Sequence, residues 1–260
     1  MPSANINGQT IHYEDSGGSG PPVILAHGFL MDQSLFDAQV AALAPEFRLI
    51  RWDARGFGET VTDGRPFTYW DSAADMVGLL DHLGIARAVV GGMSQGGFAS
   101  LRAALAHPDR VKALVLISTE SAAPNAEDKA AYQQMFEMWR VAGPTEPLLA
   151  TIAGLILGPP EFWEPWVSRW REVPASRLLQ SVRALLDRDD VTDRLSEITC
   201  PAIVIHGSAD VAIPLARAEI LRRLPGCTGI VQVIGAAHAA NLTHPEQANP
   251  PLLEFLRAHA

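Results

Sequence analysis

The chain has 260 residues, 48% of them hydrophobic, enough to bury one sizeable α/β core with room for an inserted subdomain. Its formal net charge of −9, with acidic residues spread along the chain, argues against nucleic acid or an anionic membrane as partner. Cys200 and Cys227 lack metal-ligand spacing and read as thiols. No secretory signal opens the sequence and no apolar run reaches membrane-spanning length, so a cytoplasmic location is expected.

Residues Asn5 to Glu14 place an Asn7-Gly8 turn between short alternating runs, which predicts an antiparallel hairpin. Val23 to Ala26 is a continuous apolar run, the pattern of a strand buried on both faces, and it ends in His27-Gly28-Phe29-Leu30. Ser34 to Ala44 predicts an amphipathic helix and Arg48 to Trp52 another strand, followed by Asp53-Ala54-Arg55-Gly56-Phe57-Gly58. A helix from Asp71 to Leu83, stopped by Gly84, leads into the strand at Ala88-Val89-Val90. A glycine-rich turn, an Ala/Leu-rich helix and the strand Lys112 to Ser118 follow.

From 122 to 190 no strand is predicted. Four helical stretches stand there instead: Ala126 to Val141, Glu146 to Leu157, Glu161 to Glu172 and Ala175 to Leu186, punctuated by prolines. The alternation resumes with a strand at Ala202 to Ile205, a helix at Leu215 to Leu224 and a strand at Thr228 to Ile234. A final helix is expected after Asn249, with Pro250 and Pro251 in its first turn. The pattern predicts a mostly parallel eight-stranded sheet with helices on both faces. Residues 1–121 and 191–260 form the core, and 122–190 a helical lid between strands 6 and 7. In the lid, Trp163, Trp166 and Trp170 fall at i, i+3 and i+7, one helical face. That face either docks the lid on the core or lends rings to an apolar substrate pocket, with Trp139, Trp163 and Trp166 as pocket candidates.

Gly92-Met93-Ser94-Gln95-Gly96 fits G-x-S-x-G between a strand and a helix, the context of a nucleophile elbow. A serine hydroxyl needs a neutral imidazole to take its proton. His238 suits this role because it lies in a loop of small residues just past a strand. Asp210, past the end of the preceding strand, is the acid expected to orient that imidazole. Glu120, beyond the strand ending at Ser118, competes for that role, with a place in the pocket wall as its other reading. The backbone N–H groups of Phe29 and Gln95 are the expected oxyanion donors. His27 reads as a residue that fixes its loop by hydrogen bonds. No metal or cofactor is called for.

With His27-Gly28-Phe29, Asp53-x-Arg55-Gly56-x-Gly58, the elbow, His206-Gly207-x-x-Asp210 and Gly235-x-x-His238 in this order, the chain resembles the α/β-hydrolase superfamily over nearly its full length. It is most similar to the branch of 3-oxoadipate enol-lactonases, small carboxylesterases and cofactor-free perhydrolases. The resemblance implies a lidded, cofactor-free serine hydrolase acting on a small-molecule ester or lactone. Asp53, Arg55, Gly56 and Gly58 then belong to loop architecture. Serine at the elbow argues against the dehalogenases and epoxide hydrolases of this fold, which carry aspartate there. Hydrolysis of a C–C bond in a β-diketone or ring-cleavage product stands as an alternative, as does perhydrolysis. A ligand receptor on a hydrolase scaffold is the reading outside enzymology.

Overall fold

The computed structural model describes residues 2–260. Its frame is a sheet of β1 (Ser3–Ile6), β2 (Gln9–Asp15), β3 (Pro22–Ala26), β4 (Arg48–Trp52), β5 (Ala88–Met93), β6 (Val111–Ile117), β7 (Ala202–Gly207) and β8 (Cys227–Val233). The spatial order is β1-β2-β4-β3-β5-β6-β7-β8. The β1–β2 and β2–β4 pairs are antiparallel and the remaining pairs parallel. At the first turn Asn7 and Gly8 both take positive φ, 49° and 80°, as a two-residue hairpin loop of the observed twist requires.

Side chains alternate across the strands and divide the core into two layers. Val23, Leu25, Val89 and Val115 face one way, against α1 (Asp37–Leu43) and α10 (Pro245–His259). Ile24, Ala26, Val90 and Leu114 face the other, against α2 (Tyr69–His82) and α3 (Gln95–Ala106). Two faces to cover explain why β5 and β7 are buried at every residue.

Between β6 and β7 the chain leaves the sheet for α4 (Ala126–Ala142), α5 (Glu146–Ile156), α6 (Trp166–Arg171) and α7 (Ala175–Leu186). Their apolar faces, including Trp139, Leu149, Ile152, Trp170 and Leu178, join the first core layer. The remaining helices are the short α8 (Leu215–Ala218) and α9 (Ala240–Thr243).

Four helices differ from expectation: Ser34 to Ala44 opens as a 3₁₀ turn at Gln33–Phe36 before α1, Leu215 to Leu224 is α8 followed by a 3₁₀ turn at Glu219–Arg223, and two others depart further. The stretch Glu161 to Glu172 is not one helix but a 3₁₀ turn at Pro160–Phe162 followed by α6. Pro165, which has no N–H to continue a helix, stands at the break. The last helix starts at Pro245, not after Asn249, and runs through Pro250 and Pro251. Its buried stripe of Ala248, Leu252, Phe255 and Leu256 packs on the sheet and carries it past the two missing donors. No helix among the described residues is long and apolar enough to cross a membrane.

Candidate active site

Ser94 is the single residue between β5 and α3, at φ 53° and ψ −115°. A non-glycine residue in so sparsely populated a region costs roughly 1–3 kcal/mol and persists only where its surroundings fix it. Here the Ser94 N–H donates to Ile117 O at 2.9 Å, while Ser94 O accepts from the Thr119 hydroxyl and the Gly97 N–H, both at 2.8 Å. The flanking glycines are demanded by close packing. A Cβ on Gly92 would lie 2.5 Å from Ala26 O, and one on Gly96 1.9 Å from the same atom. Strand β3 therefore runs hard against the turn and leaves the serine no other course.

Helix α3 begins at Gln95 and its first bonded donor is Gly97, so the N–H groups of Gln95 and Gly96 precede the helix ladder and the positive end of the helix dipole meets Ser94. Neither the Gln95 N–H nor the Phe29 N–H has a hydrogen-bond partner among the described residues. Phe29 is held in a tied-down loop. His27 donates from Nδ1 to Gly28 O at 2.7 Å and accepts at Nε2 from the Ala54 N–H at 2.9 Å. These two bonds require the neutral imidazole, and complete burial pushes the His27 pKa down although the Asp53 charge pulls it up. Asp53 accepts from the N–H groups of Gln33 and Glu59, each at 2.8 Å, which fits its reading as loop architecture. One residue past Phe29, Leu30 takes φ 63° and its carbonyl accepts from the Trp170 indole at 2.6 Å.

Opposite the elbow, His238 Nδ1 lies 2.8 Å from Asp210 Oδ2. The other Asp210 oxygen accepts from the N–H groups of Ala212 and Ile213, both at 3.0 Å, so the carboxylate presents one fixed oxygen to the ring. The residue after His238 is anchored too: the Ala239 N–H donates to Ile156 O at the end of α5, at 2.7 Å. Ser94 and His238 line one cavity, with no hydrogen bond between their side chains among the described residues.

That cavity offers about 110 Å³ of free space. Phe29, Phe98, Trp139, Ile152, Leu178 and Ile213 supply apolar wall. Glu120 also lines it, with Arg188 donating to Glu120 Oε1. Burial pushes the Glu120 pKa up, against the pull of the Arg188 charge. Glu120 makes no hydrogen bond to His238 among the described residues; the acid in contact with the imidazole is Asp210.

Of the tryptophans proposed for the pocket, Trp139 lines it and Trp163 and Trp166 do not. The break at Pro165 takes Trp163 off the helix, and its indole N–H caps Gly158 O at 2.9 Å. Trp166 is buried in the packing of α6, with the Arg169 guanidinium 4.8 Å from its ring centre. Three contributors escaped the sequence reading: Thr119, Arg188 and the tie from Trp170 to Leu30. No local signal marks Arg188, whose partner is 68 residues away in sequence.

A profile of the alpha/beta hydrolase fold matches residues 21–245. The chain is 31% identical over 282 aligned positions to the protein named "Putative carbamate hydrolase RutD" of Caulobacter sp. (strain K31), covering 100% of each. A thermophilic esterase from Thermogutta terrifontis superimposes with a TM-score of 0.89 at 28% identity, covering 99% of this chain and 98% of its own. The enol-lactonase from Burkholderia xenovorans LB400 does so with a TM-score of 0.88 at 26% identity, covering 98% and 100%. The chain therefore belongs to the α/β-hydrolase fold family, and it is a hydrolase.

Proposed function

We propose that the protein hydrolyses a small carboxylic ester or lactone through an acyl-enzyme on Ser94, beneath a lid formed by residues 122–190. His238 Nε2 takes the hydroxyl proton as Ser94 Oγ attacks the carbonyl carbon. Asp210 holds the ring by Nδ1 and stabilises the imidazolium. The N–H groups of Phe29 and Gln95 receive the oxyanion, a contribution of about 3 kcal/mol per donor where such a donor has been removed elsewhere. His238 returns the proton to the leaving alkoxide. It then deprotonates a water that attacks the acyl carbon, and passes that proton to Ser94 Oγ as the acyl–serine bond breaks and the acid departs.

The observation that carries this reading is the opening of Ser94, at its strained elbow, and of the Asp210-bonded His238 onto one apolar cavity. Its free space is smaller than the ~150 Å³ that admits a benzene ring in an engineered cavity, which favours short acyl groups. The enol-lactonase and esterase likenesses support the same class. A carbamate is a second candidate, because a full-length relative carries that name and the same attack on a carbonyl would cleave it.

Ser94→Ala is expected to abolish turnover of short p-nitrophenyl esters and labelling by a fluorophosphonate probe. Undiminished turnover in that variant would remove Ser94 as nucleophile. Running a p-nitrophenyl carbamate beside the esters separates the two substrate readings.

A further inference from the structure

Besides Ser94 and His238 the cavity is lined by three polar side chains that the hydrolytic steps do not use, Glu120, Arg188 and Tyr132, and the first two form a bonded pair. Glu120 is 3% exposed and lines the wall, and its Oε2 is buried with no hydrogen-bond partner among the described residues. Its Oε1 accepts from Arg188, which lies over the Phe98 ring at 4.1 Å and donates from Nε to Ala122 O at 2.9 Å. Arg188 Nη1 makes no hydrogen bond among the described residues. The pair is thus anchored yet unsaturated, with an acceptor on one residue and donors on the other. Leaving such groups unpaired in a buried site is costly, so a ligand that satisfies them gains accordingly.

The pair also sits close to the chemistry. Thr119, the residue before Glu120, donates to the Ser94 carbonyl, and Phe98, under Arg188, is one helical turn from Ser94. The local charges choose the ligand. Arg217 approaches Glu120 Oε1 to 3.8 Å and pairs with Asp128, so two cations and two anions balance. A substrate ammonium could pair with the free Glu120 oxygen but would face the Arg188 guanidinium beside it, and a substrate carboxylate could pair with Arg188 but would face that oxygen. A neutral hydroxyl suffers neither repulsion and can donate to Oε2 while accepting from the arginine.

We propose that Glu120 and Arg188 form a specificity subsite for a hydroxyl group a few bonds from the scissile carbonyl, making the natural substrate a hydroxylated short ester. This rests on the ester reading above. The test compares kcat/KM of the wild-type enzyme, by pH-stat titration, on ethyl butyrate, ethyl 3-hydroxybutyrate, ethyl 3-methoxybutyrate and monoethyl succinate. Propyl, 2-hydroxyethyl and 2-methoxyethyl acetate probe the alcohol side. The methoxy esters match the inductive effect of the hydroxyl without its donor.

On one of the two sides the hydroxyl ester should exceed its methoxy and unsubstituted partners by about tenfold or more, the size of one hydrogen bond to a charged group. In Glu120→Gln the amide oxygen can keep the Arg188 bond while a donor replaces Oε2, so that ratio should fall toward one and the methoxy ester should gain. Equal rates within both series, a preference for monoethyl succinate, or a ratio untouched in a folded Glu120→Gln would each overturn the subsite while leaving the ester reading intact. Turnover of none of the seven would overturn both. Should Glu120→Gln fail to fold, the wild-type series still decides.

Discussion

At the scale of single residues the site depends on what each carboxylate is already bound to. Asp210 is fixed by two backbone N–H groups on one oxygen and gives the other to His238. Asp210→Asn keeps the shape but can donate to His238 and stabilise the wrong tautomer, so kcat should fall by about 10⁴ with little change in thermal midpoint. Glu120 cannot take over, because its contact is with Arg188 and not with the ring. A loss in kcat of less than tenfold on a short ester would show that another group orients the imidazole. Ser94, Asp210 and His238 were legible in sequence for a shared reason. Each lies just past a strand end among small residues, where the chain itself marks the position. Arg188 has no such local mark, and its role follows from where α7 ends relative to β6.

At the scale of elements the inserted helices reach the site through backbone ties as well as cavity wall. The end of α5 accepts from the residue after His238, and Trp170 of α6 donates to the carbonyl of Leu30, next to Phe29. Trp170→Phe retains most of the buried ring but leaves Leu30 O unpaired, which should lower stability by roughly 1–3 kcal/mol. Because the same bond steadies the loop carrying the Phe29 N–H, kcat on short esters should fall more than KM rises. Denaturant melts alongside kcat and KM would check this, and a fully stable, fully active variant would dissociate α6 from the site. The fold at this scale was legible in its central strands β3, β5, β6 and β7, whose apolar runs are buried on two faces. The helices were harder to place. Periodicity put Trp163, Trp166 and Trp170 on one face, but a proline inside the period divided it. In α10 the reverse happened, and packing of Leu252 and Phe255 overrode the prolines expected in its first turn.

At the scale of the whole molecule, the edge of the sheet that carries the site rests on two buried imidazoles. His27 follows β3 beneath the Phe29 loop, and His206 lies in β7 just before the Asp210 loop. Burial holds both pKa values below the ordinary 6.5, outweighing the charges of Asp53 and Asp210. His206 donates from Nε2 to Ile213 O at 2.8 Å, and its Nδ1 is buried without a partner among the described residues. In the unfolded chain each ring takes up a proton near pH 6.5, whereas the folded protein resists until lower pH. Between those values the unfolded state binds more protons, so stability is complete above pH 6.5 and declines as pH falls through the folded pKa values. The slope is about 1.4 kcal/mol per pH unit for each ring.

Asp15 acts in a different window. Burial alone would raise its pKa, but hydrogen bonds from Arg48 and the Gly17 N–H carry it below 3.8, so its contribution is lost only under about pH 4. Thermal midpoints measured from pH 8 to 5 should therefore stay level to about 6.5 and then drop, well above the window in which Asp15 acts. His206→Asn should make that drop shallower, by removing one of the two rings. Protonating His27 in the folded protein breaks its bond from the Ala54 N–H, so the proposed esterase activity should hold through the upper part of that interval and fall only toward the lowered folded pKa, as the loop bearing Phe29 loosens. A midpoint constant from pH 7.5 to 5.5 would mean that the folded state accommodates both charges, and that these histidines do not set the acid limit of the fold.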